Sequence, residues 1–372
     1  MFKECFASSF LNDLGYNLTH LIVSTHNFPL KTSAEVEHLC DEIVKQRGNK
    51  NICFDGDFEG LQIGMLKTIN DVCEILISKY GVNLKSIIWI TTADPIRRNV
   101  DAYKEYIKTT NYHKITVLFV NRIEKSVALN ALSSKRSNIK KLNKAPIKKD
   151  KKFLMFNGGM RAHRAYLLAY IIKNNLLEKG YISLYRSYPT ENSQPTEFDI
   201  FPKKCWVGET LRKNYKLFPM KLVGDTKQEL VIYDIIESET HLYANSYFGV
   251  VTETNFFKSE NPLSLNWVID HNITTEKTFK YIFGKLPFIM VGVPGALSAL
   301  REQGYQTFHP FINESYDEEN DDIQRLRLIT KEIMRLCRFT NEEWQEFMKN
   351  TIPITNHNYK RLLNTETKIL KC

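Results

Sequence analysis

Two neighbouring segments decide the fold: residues 275–283 read TEKTFKYIF, and residues 286–292 read LPFIMVG. The first predicts a helix with Thr275 as its N-cap, because Thr, Glu and Lys precede the apolar run Phe279 to Phe283. The second segment is an apolar, strand-like run. A Val-Pro-Gly turn, a short helical pattern and another predicted strand, Tyr305 to Phe308, come next. Helix and strand patterns that alternate in this way are typical of an α/β layer.

The first turn of the predicted helix suits a phosphate group. A helix N-terminus presents free N–H groups and the positive end of the helix dipole. Lys277 would add a positive charge there, and Glu276 would accept a hydrogen bond from a sugar hydroxyl. A capped surface helix needs the same residue types, so the spacing alone leaves both interpretations open.

Another candidate phosphate-binding segment follows the strand predicted at residues 152–156. It begins with Asn157 and Gly158, and its two glycines let the backbone approach a phosphate closely. Arg161 and Arg164 are three residues apart, so one helix face would carry both and they would clamp a diphosphate. The alternative is a turn with two surface arginines.

These segments together resemble a known family. A Thr-Glu-Lys run ahead of a helix, followed by a Pro-Phe-Ile strand and a Pro-Gly turn, resembles the donor-sugar half of GT-B glycosyltransferases. The resemblance is closest to the α-1,3-fucosyltransferase type and to viral and phage glycosyltransferase-like proteins. It covers roughly residues 150–338. It implies that the donor is a nucleotide diphosphate sugar, with the ribose on Glu276 and the phosphates on Lys277.

The resemblance also extends to the strand end at Glu253, whose counterparts in the family contact the donor; a turn cap is the alternative for this residue. The expected donor-binding residues are Asn157, Gly158, Arg161, Arg164, Glu253, Thr275, Glu276, Lys277 and Thr278. We expect no cofactor and no metal, because the basic residues and helix N-termini would stabilise the leaving diphosphate.

Alternating strand and helix patterns run along both halves of the chain, which predicts two Rossmann-like α/β layers. The resemblance supplies the GT-B arrangement, in which the two domains face each other across a cleft. The expected organisation is an N-terminal acceptor-side α/β domain (1–134), a basic linker (135–151), a C-terminal nucleotide-sugar-binding domain (152–338), and a C-terminal helix and tail (339–372). Because no G-x-G-x-x-G or Walker A motif is present, a dinucleotide oxidoreductase or P-loop NTPase is disfavoured.

Transfer with inversion at the sugar needs a general base that deprotonates the acceptor. The candidates at predicted strand ends of the first half are Asp94, Asp55 and His26. Asp94 directly follows the run IIWITTA, a strand-to-loop position, and ranks with Asp55 above His26. Residues of these types at such positions more often cap a helix or lie in a turn than act as a catalytic base.

Composition favours a folded protein of two ordinary domains, since the 372 residues are 43% hydrophobic. No apolar run approaches the ~20 residues that span a bilayer, and the N-terminus lacks the pattern of a signal peptide. We therefore expect a cytoplasmic protein, in the host cytoplasm if the source is viral. The seven cysteines contain no C-x-x-C pair, which argues against a disulfide framework and a zinc site.

Nine basic residues between Lys135 and Lys152 equal the formal net charge of +9. The simpler interpretation of this basic stretch is a solvated linker, and the more specific interpretation is a segment that contacts a nucleic-acid backbone. The acceptor is therefore expected to be either a glycan or a hydroxymethylated base in DNA, as some phage enzymes use. A non-catalytic nucleotide-sugar or nucleic-acid binding protein on the same scaffold is the alternative function. The oligomeric state is left open.

Overall fold

The computed structural model describes residues 20–24, 32–55, 63–91, 95, 97–108, 110, 112–121, 123–124, 127–128, 148–184, 190, 192, 206–222, 240–257, 274–366 and 369–371. In chain order its strands and α-helices are β1 (His20–Ser24), α1 (Ser33–Arg47), β2 (Asn51–Asp55), α2 (Ile63–Ser78), β3 (Ile87–Thr91), α3 (Arg97–Lys108), β4 (Thr116–Val120), β5 (Lys151–Met155), α4 (Ala162–Lys173), β6 (Gly180–Ile182), α5 (Trp206–Lys213), α6 (Thr240–Ala244), β7 (Ser246–Thr252), α7 (Glu276–Phe283), β8 (Phe288–Val291), α8 (Ala296–Glu302), α9 (Asp322–Cys337), α10 (Asn341–Leu363) and β9 (Ile369–Lys371). The chain divides into two compact units.

The first unit is built from the described residues of 1–122 and 366–372. Its sheet has the order β1-β2-β3-β4-β9, in which β1 to β4 are parallel and β9 pairs antiparallel with β4. All five residues of β3 are buried. Continuous burial of this kind is expected of a parallel strand that is covered on both faces.

The second unit contains the described residues of 123–258 and 274–365. Its sheet has the order β6-β5-β7-β8, and all neighbouring strands are parallel. Every residue of β7 is buried. Helices α4, α7, α9 and α10 contribute their apolar residues to one continuous core around this sheet. Burial of that apolar surface is the main favourable contribution to the stability of the unit.

A tyrosine fixes helix α7 against the sheet. Tyr281 packs its ring directly on Gly249 of β7, where an added Cβ atom would overlap the ring. The Tyr281 hydroxyl donates to the backbone oxygen of Leu154 (3.2 Å) and accepts from the N–H of Phe156 (3.3 Å). Glycine at 249 therefore allows the close approach that places the start of α7 beside the end of β7.

The structure confirms the predicted fold class, an α/β protein with two Rossmann-like parallel sheets. The apolar spacing of the sequence predicts an amphipathic helix from Asp322 to Cys337, and α9 begins and ends at these residues. The predicted N-cap Thr275 is also confirmed, since its hydroxyl accepts from the N–H of Lys277. The cleft between the two domains stays a prediction.

The strand predicted at Tyr305 to Phe308 is wrong, because side chains bind the backbone groups that a neighbouring strand would need. Asn358 exchanges two 2.8 Å hydrogen bonds with the backbone of Gln306. The N–H of Phe308 donates to Glu314 Oε1 at 2.6 Å. The apolar alternation of this segment thus reflects burial without sheet pairing.

The sequence predicts one short helix around Trp344 and Phe347, followed by a polar tail, but the C-terminal helix is much longer. Helix α10 has 23 residues, begins at a capping box formed by Thr340 and Glu343, and contains Pro353. Its buried stripe includes polar side chains, which hide the helical period in a hydropathy pattern. The buried residues of α10 are Trp344, Phe347, Thr351, Thr355, Asn358, Tyr359 and Leu362. The segment predicted as a polar tail forms β9.

Replacing Gly249 with alanine should lower the free energy of unfolding by about 1–3 kcal/mol, because the new methyl group overpacks the Tyr281 ring. The measurement is a urea titration of the purified protein. Gly292→Ala is the matched control, since its Cβ would lie 3.4 Å from the nearest side-chain atom, an ordinary contact. Equal unfolding midpoints for Gly249→Ala and the wild type would contradict this packing.

Candidate functional site

The order of strands in the second unit creates a crevice at the carboxyl ends of β5 and β7. From β5 the chain moves to β6 on one side, and it later returns to β7 on the other side. Ligands of open α/β sheets bind at such reversals, because the connections diverge there. Strands β1 to β4 follow one another across the first sheet, so its described strands show no reversal.

Polar side chains bridge the two strand ends at this crevice. The Thr252 hydroxyl donates to Asn157 Oδ1 at 2.8 Å, and the N–H of Asn157 donates to Ser183 Oγ at 3.1 Å. Within the described part of the chain, the buried Asn157 Nδ2 has no hydrogen-bond partner. The ends of β5, β6 and β7 are thus tied together by short polar side chains.

Helix α4 begins beside this crevice. Arg161 is its N-cap residue, the Arg161 side chain makes no capping hydrogen bond, and the first turn contains no acidic residue. The Gly158–Gly159 turn connects it to the end of β5, and the Arg161 side chain is exposed. A helix end with this composition favours an anion.

Arg161 and Arg164 do not share one environment, although the sequence predicts that they act together. Arg164 is only 4% exposed. Its guanidinium donates to the backbone oxygens of Gly159 (2.8 Å), Thr252 (3.0 Å) and Glu253 (3.4 Å). Arg164 therefore fastens the glycine turn to the end of β7, and Arg161 is the arginine at the surface.

His163 lies in the core beneath the crevice. Its Nε2 is 3.1 Å from the backbone oxygen of Glu253, and its ring stacks on Phe256. Burial lowers the pKa of His163 well below its usual value, and the nearby positive charges of Arg164, Arg161 and Lys277 lower it further. The charges of two residues from separate segments, Arg161 and Lys277, thus both act on this buried ring.

The Thr-Glu-Lys segment provides a positioned ammonium group. Lys277 Nζ is 3.1 Å from each of three oxygens: Thr254 Oγ1, Thr275 Oγ1 and Glu276 Oε1. The side chains of Lys277 and Glu276 are 24% and 13% exposed, respectively. Both therefore reach the surface at the start of α7, and Lys277 has a defined direction.

Glu253 caps helix α7 from the end of β7. Its carboxylate accepts from the N–H of Thr275 (3.2 Å), from the Thr278 hydroxyl (2.5 Å) and from the Thr275 hydroxyl. Burial raises the pKa of the Glu253 carboxyl, while the Lys277 charge and the threonine hydroxyls act in the opposite direction. The positive end of α7 is thus occupied by a side chain of the protein itself.

Helices α8 and α9 are capped in the same way. Asp317 accepts from the N–H groups of Leu297 (2.9 Å) and Ser298 (3.0 Å) in the first turn of α8. Asp321 accepts from the N–H of Gln324 in α9. Among the four helices α4, α7, α8 and α9, only α4 shows no acidic cap in the described structure.

Of the three predicted general bases, the structure describes one. Asp55 is the last residue of β2 and is fully buried. His26 and Asp94 lie outside the described residues. The nine predicted donor-binding residues are all in the second unit, where they follow β5 and β7 or begin α7, whereas Asp55 belongs to the first unit.

Three of the four described lysines of the basic stretch bind backbone oxygens, and the fourth, Lys148, is exposed. Lys149 Nζ donates to Ala244 O at 2.5 Å, and burial lowers the pKa of Lys149 to about 8. Lys151 Nζ donates to Glu178 O (2.7 Å). Lys152 Nζ donates to Phe339 O (3.4 Å) and lies 5.4 Å from the centre of the Trp344 ring. These lysines satisfy carbonyl groups and pack on aromatic rings.

Two residues at the site were not predicted from the sequence. Ser183 lies directly after β6, but the sequence pattern predicts a longer strand, Tyr181 to Tyr185, that would contain it. The sequence pattern indicates a role for the neighbouring Arg161 and Arg164 but not for His163. The sequence signal for Ser183 is its position as a polar residue at the end of an apolar run. His163 has no such signal, because its burial depends on the contact with Phe256.

No group of three or more His, Cys, Asp or Glu side chains that could hold a metal ion occurs among the described residues. Within the same ranges no helix is both long and apolar enough to cross a membrane.

No protein-family model and no curated protein matches the sequence. Among solved structures, the N-terminal domain of Candida albicans trehalose-6-phosphate phosphatase is similar at a TM-score of 0.46 and 11% identity, over 97% of this chain and 70% of that one. A UDP-forming trehalose-phosphate synthase from Burkholderia xenovorans is similar at a TM-score of 0.41 and 11% identity, over 89% of this chain and 78% of that one. The corresponding synthase from Burkholderia vietnamiensis is similar at a TM-score of 0.39 and 12% identity, over 88% of this chain and 71% of that one. The similarity is confined to the fold.

Arg164→Met and Arg161→Met form a matched pair that separates a structural role from a surface role. Arg164→Met leaves buried carbonyl oxygens without a donor and should lower the free energy of unfolding by about 2–4 kcal/mol. Arg161→Met changes an exposed side chain and should shift it by no more than about 0.5 kcal/mol. Urea titrations of both variants measure this difference, and equal stabilities would contradict the assignment.

Glu253→Gln should change how stability depends on pH. A carboxyl whose pKa is raised in the folded state contributes stability that is present below its ordinary value of 4.5 and lost as the pH rises through the folded pKa. The wild type should therefore lose stability relative to Glu253→Gln as the pH increases from about 4 toward neutrality. Unfolding free energies across this range measure the difference, and parallel curves would be inconsistent with the buried carboxyl.

Proposed function

We propose that the protein is a glycosyltransferase that uses a nucleoside diphosphate sugar as its donor. The observation that carries this proposal is that three positive groups, the N-terminus of α4, Arg161 and Lys277, belong to two segments that meet beside the reversal between β5 and β7: Arg164 of α4 binds the oxygen of Glu253, and Lys277 Nζ binds the next residue, Thr254. A diphosphate is the anion that such a set binds well, because helix amides and cations from different segments surround it.

Each group has a proposed role in the transfer. The amides of α4, the Gly158–Gly159 turn and Arg161 bind the diphosphate. Lys277 neutralises the charge that develops on the leaving phosphate. Glu276, which is partly exposed beside Lys277, accepts hydrogen bonds from the ribose hydroxyls. Because the protein supplies positive charge at this position, we propose that transfer proceeds without a metal.

Among the described residues of the second unit, neither His163 nor Glu253 is a candidate for deprotonating the acceptor in this proposal. His163 is buried, its pKa is lowered, and its Nε2 faces a backbone oxygen. Glu253 has both carboxylate oxygens bound to α7. We therefore keep Asp55, Asp94 and His26 of the first half as the candidates for the general base.

For the acceptor we propose a hydroxyl group of a glycan. Three lysines of the basic stretch, Lys149, Lys151 and Lys152, bind carbonyl oxygens, which supports a glycan rather than a nucleic acid as the acceptor. A hydroxymethylated base in DNA is the second candidate acceptor. Transfer to such DNA, together with failure on every glycan offered, would reverse this choice.

Unfolding in the presence of UDP-, GDP-, dTDP- and CMP-sugars, with and without Mg²⁺, tests the donor. A donor at 100 times its dissociation constant should stabilise the protein by ~2.7 kcal/mol. Lys277→Met should remove most of this stabilisation, because a charge-assisted hydrogen bond to the phosphate is lost. Lys331→Met, which changes an exposed lysine of α9, is the matched control and should keep it.

Two results would contradict the proposal: no stabilisation by any of these compounds, or full stabilisation of Lys277→Met. A requirement for Mg²⁺ would contradict the metal-independent step alone. Stabilisation without release of nucleoside diphosphate on any glycan or DNA acceptor would favour the alternative, a non-catalytic nucleotide-sugar binding protein.

A further inference from the structure

Glu253 contacts both parts of the proposed donor site. Its backbone oxygen accepts from Arg164 Nη2 (3.4 Å) and lies 3.1 Å from His163 Nε2, so it belongs to the region around α4. Its carboxylate binds Thr275 and Thr278 at the start of α7. At 2% exposure the side chain is enclosed by these contacts.

The Thr275 hydroxyl transmits the effect of this carboxylate to Lys277. A hydroxyl group has one hydrogen to donate and two lone pairs that accept. Thr275 gives its hydrogen to Glu253 Oε2. Its lone pairs then accept from the backbone N–H of Lys277 (3.3 Å) and from Lys277 Nζ (3.1 Å). The carboxylate thus determines which way the hydroxyl faces, and the hydroxyl determines where the ammonium lies.

We propose that Glu253 is a positioning residue: it aims Lys277 at the donor diphosphate through Thr275 and does not itself contact the donor. This inference rests on the proposed function for its ligand. It also replaces the role that the sequence predicts for Glu253, contact with the donor, because both carboxylate oxygens are already hydrogen-bonded inside the protein.

Glutamine at this position would keep the shape of the side chain and change the direction of one hydrogen bond. The amide NH₂ group donates and cannot accept, so it would donate to Thr275 Oγ1 and compete with Lys277 for its lone pairs. The ammonium of Lys277 would then lose one of its three described oxygen contacts. We expect the fold of Glu253→Gln to change little and the side chain of Lys277 to point in a different direction.

A double-mutant cycle with UDP and GDP as probes tests this relay. Glu253→Gln should weaken binding of the nucleotide ~10-fold, the equivalent of one charge-assisted hydrogen bond. Added to Lys277→Met, the same change should have almost no further effect, because the residue through which it acts is absent. An equal loss in both backgrounds would overturn the proposal, since Glu253 would then act independently of Lys277. Unchanged affinity in Glu253→Gln would overturn it as well.

Asp317→Asn is the matched control, because Asp317 caps α8 as Glu253 caps α7. It should leave nucleotide affinity unchanged at temperatures where the variant is folded. If Glu253→Gln does not fold, Thr275→Val and Thr275→Ser replace it. The valine variant removes the hydroxyl and should lose affinity, whereas serine restores the hydroxyl and should regain it; equal affinities of the two would overturn the relay.

A measurement without nucleotide separates failure of this proposal from failure of the proposed function. The ¹⁵N signal of the Lys277 ammonium, assigned by its absence in Lys277→Met, should be sharp in the wild type and broadened in Glu253→Gln. If the wild type binds neither UDP nor GDP, the proposed function fails for these donors and this signal still decides the relay. A signal that stays unchanged in Glu253→Gln would overturn it.

Discussion

The pairing of β5 with β7 is the constraint on which the rest of the second unit depends. Strand β5 has parallel neighbours on both sides, so both of its edges are hydrogen-bonded. The chain leaves the sheet beyond the end of β5. The bond from Thr252 to Asn157 and the contacts of Arg164 join the two strand ends at that point. Tyr281, packed on Gly249, then brings the start of α7 to the same place.

Electrostatics at the helix ends decides which position is left for a ligand. The N-termini of α7, α8 and α9 are bound by acidic side chains, Glu253, Asp317 and Asp321. A carboxylate at a helix N-terminus satisfies N–H groups and the helix dipole together. Helix α4 begins with Ala162 and no acidic residue. Among the described residues no acidic side chain binds its positive end, which is the end where we propose that the donor diphosphate binds.

The positive charges of the chain are divided between structural and surface roles. Arg164 and the lysines near β5 bind backbone oxygens, so they compensate the negative ends of secondary structure or hold turns together. Arg161 and Lys277 instead reach the surface of the proposed site. Among the described residues, Lys149, Lys151, Lys152 and Arg164 therefore contribute positive charge that serves the fold.

The sequence by itself determined the α/β class, the exact extent of α9 and the cap of α7, because these depend on periodic burial and on hydrogen bonds between residues a few positions apart. It also placed polar residues just after β5 and β7. The tertiary structure decided what those residues do. Glu253 meets Thr275 across 22 positions and Asn358 meets Gln306 across 52, so neither pairing leaves a local pattern. An arginine after a strand looks the same in sequence whether it faces solvent, as Arg161 does, or distant carbonyl groups; only the packing of the chain distinguishes the two.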